Sequence, residues 1–280
     1  MKIITSSKDL TKKTFKGCTI PTIGMGTFEM TGMECRTAVR DALEMGYRHI
    51  DTAQAYDNEG EVGTAIKEAG IDRSEIFLTD KIHFGNLRPE DLKESFRNSL
   101  VKLQTDYIDL LLIHWPSPNN VPLKETIDAM YQIKLSGGIR HVGVSNFTPE
   151  LLKEALTYEN IVANQVEYHP YLAQTELLEM CSNFDTFLIA YSPLARGEMP
   201  ENELIAKIGK KYGKAPAQVV LRWLIEQHCV VAIPKASSKE HRKDNLNVFD
   251  FELTEDEMLQ ISNLEKGMRT IDPDYAPNWN

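Results

Sequence analysis

The most constraining feature of this sequence is a regular alternation between short apolar runs and longer amphipathic stretches. The apolar runs predict strands at residues 22–26, 48–51, 76–81, 107–114, 139–145, 162–167, 187–191 and 230–234. Several of these strands are apolar on both faces, most clearly Ile108–Ile113, which is typical of a parallel sheet covered on both sides. Eight strands in 280 residues leave about 35 residues for each unit, the size of a β–α repeat. The sequence therefore predicts an (α/β)8 TIM barrel.

The amphipathic stretches carry recognisable start and end signals for helices. Apolar residues within 35–43 form one stripe at helical spacing, and Gly46 follows where that helix should end. Pro89 stands at a first helical position, before another such stripe. Thr254 and Glu257 have the spacing of a capping box, so an extra C-terminal helix is expected after the last strand.

The two ends of the chain and one glycine pair bear on the topology. Residues 14–20 are expected to form a short N-terminal hairpin that plugs the barrel floor. The alternative fold is a doubly wound open sheet, which usually carries G-x-G-x-x-G after its first strand. Here Gly24 and Gly26 are followed by Glu29 where the third glycine would stand, and this favours the barrel. No linker or shift in composition divides the chain, so residues 1–280 are expected to be a single domain ending in a helix and a tail.

The charge balance and the cysteines exclude several classes of function. With 31 basic and 41 acidic side chains the net charge is −10, so neither nucleic acid nor an anionic membrane is expected as a partner. The 4 cysteines form no C-x-x-C pair, which argues against a zinc ribbon or a disulfide framework and favours a reducing compartment. Residues 1–13 lack the apolar run of a signal peptide, and the longest apolar stretch is too short to span a membrane. A cytoplasmic protein is expected.

Polar side chains stand at the ends of most predicted strands. In a barrel the loops that follow the strands converge over one mouth, and catalytic groups lie there. Asp51, Lys81 and His114 end three consecutive strands, so a carboxylate, an ammonium group and an imidazole are expected to face this mouth. An ion pair or a buried structural histidine would explain each residue alone. The three together favour a catalytic site.

Tyr56, in the loop after Asp51, supplies a proton donor for the same mouth. A free tyrosine has a pKa near ~10 and is a weak acid at neutral pH. A neighbouring ammonium group such as Lys81 favours the phenolate and is expected to lower this pKa, while Asp51 anchors the ammonium. Such a site protonates an oxygen but supplies no electrons, so it needs a source of hydride.

Several segments resemble the signatures of the aldo-keto reductases, in the same order along the chain. They are residues 51–59, Lys81, residues 113–116, 143–147, 164–167 and 233–235. The resemblance implies an (α/β)8 barrel that reduces carbonyl groups to alcohols with a nicotinamide dinucleotide bound without a Rossmann fold. It assigns Tyr56 as the general acid, with Asp51 and Lys81 as the pair that tunes its pKa. It also implies that His114 positions the carbonyl group.

The loop at residues 115–120 and the ending at residues 277–279 look most like the small bacterial members, the 2,5-diketo-gluconate and methylglyoxal reductases. A small carbonyl compound is therefore the expected substrate, and a monomer is the expected assembly. Phe28, His83, His114 and Trp115 are expected to bind the substrate, together with the C-terminal tail. His83 stands where tryptophan is frequent in the family, which predicts a more polar pocket.

A basic patch after the last strand is the expected site for the adenosine end of the cofactor. In the family this segment holds the 2′-phosphate and adenine, and the matching residues are Lys235, Ser237, His241 and Asn245. His241 stands where arginine is common, and Ala236 where serine or threonine is common. A neutral imidazole does not replace a bidentate guanidinium on phosphate. Arg242 is next to His241 in the chain, but neighbouring helical residues point about 100° apart, so Arg242 is not expected to take over the missing contact to phosphate. NADPH is expected as the cofactor, with a weakened preference that also allows some use of NADH.

The other expected cofactor contacts also come from the resemblance. Ser145, Asn146 and Gln165 match the residues that bind the nicotinamide carboxamide, and Asp51 is assigned beside them. Tyr191 matches the residue whose ring stacks on the nicotinamide. Ser192, Leu194 and Arg196 match the strap over the pyrophosphate.

Other functions fit parts of the sequence. A metal-dependent barrel hydrolase would use His49, Asp51, His114 and His169, but the first predicted strand lacks the His-x-His pair usual there, and no metal is expected. An aldolase with a Schiff base on Lys81 would leave Tyr56 and the basic patch unexplained. A subunit that senses the dinucleotide and turns over slowly is the remaining alternative, and the four polar groups at the mouth favour catalysis. The sequence leaves the physiological carbonyl substrate open.

Overall fold

The computed structural model describes residues 10–158 and 160–279, and its centre is a closed barrel of parallel strands. The strands are β1 (Lys12–Phe15), β2 (Cys18–Pro21), β3 (Met25–Gly26), β4 (His49–Asp51), β5 (Phe77–Ile82), β6 (Ile108–Ile113), β7 (Ile139–Ser145), β8 (Ile161–Glu167), β9 (Phe187–Tyr191) and β10 (Val230–Ala232). Strands β3 to β10 are hydrogen-bonded in chain order, and Ile23 pairs with Ala232 to close the sheet. The predicted (α/β)8 barrel is confirmed, and the doubly wound alternative is wrong.

Two glycines allow the first and last strands to meet. Gly24 N donates to Ala232 O at 2.9 Å, and Gly26 N donates to Pro234 O at 3.1 Å. A Cβ atom on Gly26 would lie 2.9 Å from Ile233 O, closer than a real Cβ atom approaches. The two glycines that begin a possible dinucleotide motif therefore serve barrel closure.

Several predicted strands are shorter than expected, and the first and the last lose the largest share of their length. The strand predicted at residues 22–26 is limited to Met25–Gly26, because the backbone bends at Thr22 and only a single bridge forms at Ile23. The strand predicted at residues 230–234 ends at Ala232, close to Pro234, which has no N–H to continue the ladder.

The helices pack around the barrel, and three of them begin or end at the predicted signals. They are α1 (Gly32–Met45), α2 (Glu59–Glu68), α3 (Pro89–Leu103), α4 (Leu123–Leu135), α5 (Pro149–Tyr158), α6 (Thr175–Asn183), α7 (Glu203–Tyr212), α8 (Pro216–Glu226), α9 (Lys239–Leu246) and α10 (Glu255–Ser262). Gly46 ends α1 with a φ of 108°, and Pro89 opens α3. The capping box of α10 forms as expected, with Glu257 N donating to Thr254 Oγ1 at 3.2 Å.

The hairpin β1–β2 covers the end of the barrel opposite the strand exits. Lys13 Nζ donates to three carbonyl oxygens, Ile225 O, Gln227 O and Val230 O, at 2.6–2.8 Å. Val230 is the first residue of β10, so the hairpin lies at the floor, and the predicted hairpin is confirmed with slightly wider bounds.

Apolar side chains make up most of the protein core. All six residues of Ile108–Ile113 are buried, as the pattern of a sheet covered on both sides predicts. In residues 10–158 and 160–279 no helix is long and apolar enough to cross a membrane. Most of the segment considered for a signal peptide, residues 1–9, lies outside the described residues.

Candidate active site

Strands β4 and β5 bring Asp51 and Lys81 together at the barrel mouth. Lys81 Nζ donates to Asp51 Oδ1 at 2.5 Å and to Thr52 O at 2.8 Å, and the Lys81 side chain is fully buried. Burial alone would lower the pKa of Lys81, but the Coulomb attraction of Asp51 and Tyr56 outweighs it, so this pKa stands above its usual value. The mouth therefore holds a fixed cation.

Tyr56 lies over this cation, at the end of the short 3-10 turn Gln54–Tyr56. Lys81 Nζ donates to Tyr56 OH at 3.3 Å, and the ring of Tyr56 is only partly exposed. Burial raises the pKa of Tyr56, and Lys81 opposes this increase without reversing it. The expectation that Lys81 brings this pKa below its ordinary value was wrong, because the unfavourable desolvation of a buried phenolate is larger than its favourable attraction to one cation.

His114, at the exit of β6, completes the cluster. Its ring lies nearly perpendicular to that of Tyr56, with the ring centroids 5.6 Å apart. Burial, and then the positive charge of Lys81, lower the pKa of His114 well below its usual value. The imidazole is therefore neutral at physiological pH and available to hydrogen-bond a substrate oxygen.

A cavity of about 1020 Å³ opens above the cluster, which is at the upper end for ligand pockets. Most of the predicted site residues line it: Phe28, Asp51, Tyr56, His114, Trp115, Ser145, Asn146, Gln165, Tyr191, Ser192, Leu194, Arg196, Lys235, His241 and Asn245. Lys81 lies beneath the floor, in contact with Asp51 and Tyr56. The cavity extends from the polar cluster to the segment that follows β10.

Hydrogen bonds connect the strand exits across the mouth. Gln165 Nε2 donates to Asp51 Oδ2 at 2.7 Å, so the carboxylate oxygen that does not bind Lys81 also has a hydrogen-bond partner. Asn146 Nδ2 donates to His114 O at 2.9 Å, and Tyr191 OH donates to Asn146 Oδ1 at 2.8 Å. Asn146 adopts a left-handed φ of 61°, which is uncommon outside glycine. These contacts fix the amide groups expected at the nicotinamide.

Two predicted site residues lie away from this cavity. His83 lines a second cavity of about 270 Å³ and not the main one, and its Nδ1 accepts a hydrogen bond from Gly85 N at 3.0 Å. Ser237 is exposed, and its carbonyl oxygen accepts from Arg242 at 2.6 Å. The structure therefore does not place the His83 and Ser237 side chains with the other predicted groups.

Arg242 is held within the protein and does not reach the cavity. Its guanidinium donates to Ala236 O at 3.0 Å and to Asp41 Oδ2 at 3.0 Å, and the side chain is only 3% exposed. Arg242 therefore anchors the segment after β10 to α1, and of the basic side chains of this segment Lys235 and His241 line the cleft.

Acidic residues at the far end of the cavity were not predicted from the sequence. Glu29 accepts from Arg196 at 3.1 Å and from Lys235 Nζ at 3.5 Å, so it bridges two sides of the cleft. Glu240 and Asp244 also line this end. The only signal for Glu29 was its position three residues after Gly26, which by itself indicates no ion pair.

The C-terminal tail forms one wall of the cavity and is fixed by Glu167, at the end of β8. Glu167 Oε1 accepts from Thr270 N at 2.8 Å, and Oε2 accepts from Ile271 N at 3.1 Å. Tyr275 then packs edge-on against Trp115, with the ring centroids 5.3 Å apart. The tail was expected to shape the pocket, but no sequence pattern indicated that Glu167 would hold it.

The residues considered for a metal-dependent hydrolase do not converge. His49 Nε2 lies 3.1 Å from Thr79 Oγ1, and His169 Nε2 lies 3.0 Å from Glu167 Oε1. Both histidines are fully buried. Across the described ranges, no three His, Cys, Asp or Glu side chains are grouped as metal ligands would be.

Comparisons with known proteins agree with this architecture. The sequence model of the aldo/keto reductase family matches residues 22–266. The chain therefore belongs to the aldo/keto reductase family, whose members are oxidoreductases that act on carbonyl groups.

Relatives of this chain include small bacterial members of the family, as expected. It is 44% identical to glyoxal reductase of Bacillus subtilis, over 95% of this chain and 96% of that protein. It is 40% identical to methylglyoxal reductase DkgB of Escherichia coli O157:H7, over 93% and 99% of the two chains. The crystal structure of an aldo-keto reductase from Bombyx mori in complex with NADP superposes with a TM-score of 0.89 at 33% identity, covering 95% and 98%.

Proposed function

We propose that this chain reduces small aldehydes and ketones to alcohols with NADPH, and that Tyr56 is the general acid. The observation that carries the proposal is the contact chain at the cavity floor, where Lys81 Nζ lies 3.3 Å from Tyr56 OH and 2.5 Å from Asp51 Oδ1. A hydroxyl group beside a fixed cation is suited to protonate an oxygen that gains negative charge. In this proposal the chain acts as one domain and as a monomer.

The groups along the cavity fit a nicotinamide dinucleotide. At the inner end, Ser145, Asn146 and Gln165 present hydroxyl and amide groups next to Tyr191, and they would hold the nicotinamide. At the outer end, Lys235 would hold the 2′-phosphate, with His241 and Asn245 nearby. Between them, Ser192, Leu194 and Arg196 would lie over the pyrophosphate. When bound, the reduced nicotinamide supplies the hydride.

Tyr56 supplies the proton. Its O–H bond breaks as a new O–H bond forms on the substrate oxygen, and the negative charge passes to the Tyr56 oxygen. Lys81 stabilises this charge, while Asp51 holds Lys81 in place and Gln165 holds Asp51. Before the reaction, burial keeps the pKa of Tyr56 above its usual value, so the donor remains protonated throughout the neutral range.

His114 orients the carbonyl group. The neutral imidazole lies at the cavity wall beside Tyr56, so both side chains reach one substrate oxygen. A cationic imidazole would compete with Tyr56 as the acid, and the lowered pKa of His114 prevents this at neutral pH.

The walls above the cluster favour small substrates. Phe28, Trp115 and Tyr275 enclose the space next to Tyr56, and the tail residues Ile271 and Pro273 narrow it further. Glyoxal and methylglyoxal are the substrates in the names of two relatives. Small α-dicarbonyl aldehydes are therefore the first candidates for this chain.

The test is the loss of NADPH absorbance at about 340 nm with a panel of aldehydes that includes glyoxal and methylglyoxal. We expect turnover with at least one small aldehyde, and a large loss of that turnover in Tyr56→Phe. NADPH binding without turnover on any member of the panel would contradict the proposal and favour the dinucleotide-sensing alternative.

A further inference from the structure

A second carboxyl group lies directly behind the catalytic lysine, in strand β5. Asp80 precedes Lys81, and successive strand residues point to opposite faces of the sheet, so Asp80 faces the helix layer and not the mouth. Its side chain is fully buried, and within the described part of the chain no side chain donates a hydrogen bond to its carboxylate, so the backbone N–H of Lys81 is its one hydrogen-bond contact. An ionised carboxylate in such a place is strongly disfavoured.

The surroundings of Asp80 offer it no spare cation. The charged and titratable groups near it are Glu59 from α2, Lys102 from α3, and Lys81, Asp51 and Tyr56 across the sheet. Lys102 Nζ already donates to Glu59 Oε2 at 2.9 Å, and Lys81 is already paired with Asp51. A negative charge on Asp80 would therefore have no cation of its own, because the two nearby lysines are each paired with another carboxylate.

Burial, and then the charge of Glu59, raise the pKa of Asp80 to about 8. Glu59 is 1% exposed and has one oxygen without a partner, and it lines the 270 Å³ cavity together with Lys102, Gln54 and Ser99. This cavity opens towards solvent beside Glu59, the carboxylate whose charge acts on Asp80. The Asp80 carboxyl group is therefore expected to lose its proton only near the upper end of the physiological pH range.

We propose that Asp80 is a positioning residue that is neutral at physiological pH and that, once ionised in alkali, keeps the proton on Tyr56. The added negative charge raises the energy of the Tyr56 phenolate and strengthens the hold of Lys81 on its own proton. Reduction would thereby persist to higher pH, and the onset of alcohol oxidation, which needs the phenolate, would be delayed. The consequence for turnover rests on the proposed function, whereas the titration of Tyr56 does not.

The test is the ultraviolet titration of Tyr56, taken as the difference between each protein and the same protein carrying Tyr56→Phe. In Asp80→Asn the charge never forms, so we expect the Tyr56 midpoint to fall by about 0.5–1 pH unit relative to the parent chain. Asp91→Asn, which removes an exposed carboxylate from α3, should leave the midpoint in place. Equal midpoints in Asp80→Asn and the parent, or a higher one in the variant, would overturn the proposal.

A second measurement covers the case in which Asp80→Asn does not fold. Infrared difference spectra of the parent chain should show a protonated carboxyl band that disappears around pH 8. Glu59→Gln removes the neighbouring charge, so this band should disappear at lower pH; a band unaffected by the substitution would contradict the proposal. Neither readout needs turnover, so both report on Asp80 even if Tyr56→Phe keeps its activity and the proposed function fails.

Discussion

The two ends of the main cavity are built in opposite ways. At the inner end, Asp51 and Lys81 extend from neighbouring strands, are buried, and have each charge matched at hydrogen-bond distance. At the outer end, Lys235 and His241 are exposed on the segment after β10, and their acidic neighbours include Glu29. The inner end is buried and its charges are paired, whereas the outer end is exposed and its positive charge is partly neutralised.

This difference separates chemistry from cofactor choice. Charges in a buried, low-dielectric place act strongly on one another, whereas exposed pairs contribute little and are screened by salt. Changes at the inner end should therefore remove turnover, and changes at the outer end should alter only the preference between NADPH and NADH. The predictions below are arranged from the largest expected effect to the smallest.

Tyr56→Phe should lower kcat by about 10²–10⁴-fold, because general acid catalysis contributes this much and no neighbouring group is placed to replace the hydroxyl. The affinity for NADPH, measured by fluorescence titration, should stay nearly unchanged. Turnover close to that of the parent would remove Tyr56 from the mechanism and would contradict the claim that the inner end of the cavity performs the chemistry.

Lys81→Met should lower kcat by a similar factor and should also destabilise the fold. It leaves the carboxylate of Asp51 buried without its cation, which costs about 3–5 kcal/mol in the free energy of unfolding. Denaturant unfolding measures the second effect. A variant as stable as the parent would show that the Asp51–Lys81 pair is not held as tightly as its distance indicates.

Lys235→Met should raise the KM for NADPH by about 10- to 100-fold, the value of one charge-assisted contact to phosphate. The KM for NADH should change little, since NADH has no 2′-phosphate. Lys239→Met, which removes an exposed lysine of the same segment that does not line the cavity, is the matched control. Equal losses with both cofactors would show that Lys235 acts on something other than the phosphate.

His241→Arg should sharpen the NADPH preference by about tenfold or less, because it adds a permanent charge in an exposed place. Ratios of kcat/KM for NADPH and NADH, compared between the parent chain and the variant, provide the measurement. A strong preference for NADPH that this substitution leaves unchanged would assign the phosphate to another residue.

The barrel was predictable because its signals are local and repeated. The apolar runs, the proline at the start of α3, Gly46 at the end of α1 and the capping box of α10 each act within a few residues. The errors lie at Thr22 and Pro234, where the ends of β3 and β10 depend on how the barrel closes. Barrel closure joins residues more than 200 positions apart in the chain, and the hydrophobic periodicity of the sequence carries no information about such contacts.

The site was predictable where a strand exit fixes a side chain and was not where a long-range contact does. Asp51 and Lys81 meet because β4 and β5 are neighbours. His83 lines the smaller cavity and not the main one, and Glu167 fixes residues 270 and 271 more than 100 positions later. The direction of the Tyr56 pKa was also missed, because the cost of burial can be assessed only once the ring's surroundings are known.

The central claim is that the inner end performs the proton transfer while the outer end only selects the cofactor. Single-turnover NADPH oxidation with one small aldehyde, measured by stopped flow across a range of NADPH concentrations, compares Tyr56→Phe with Lys235→Met directly. We predict that Lys235→Met regains the parent rate at saturating NADPH, whereas Tyr56→Phe stays slow at every concentration. A Tyr56→Phe rate that recovers with NADPH, or a Lys235→Met rate that does not, would contradict the account.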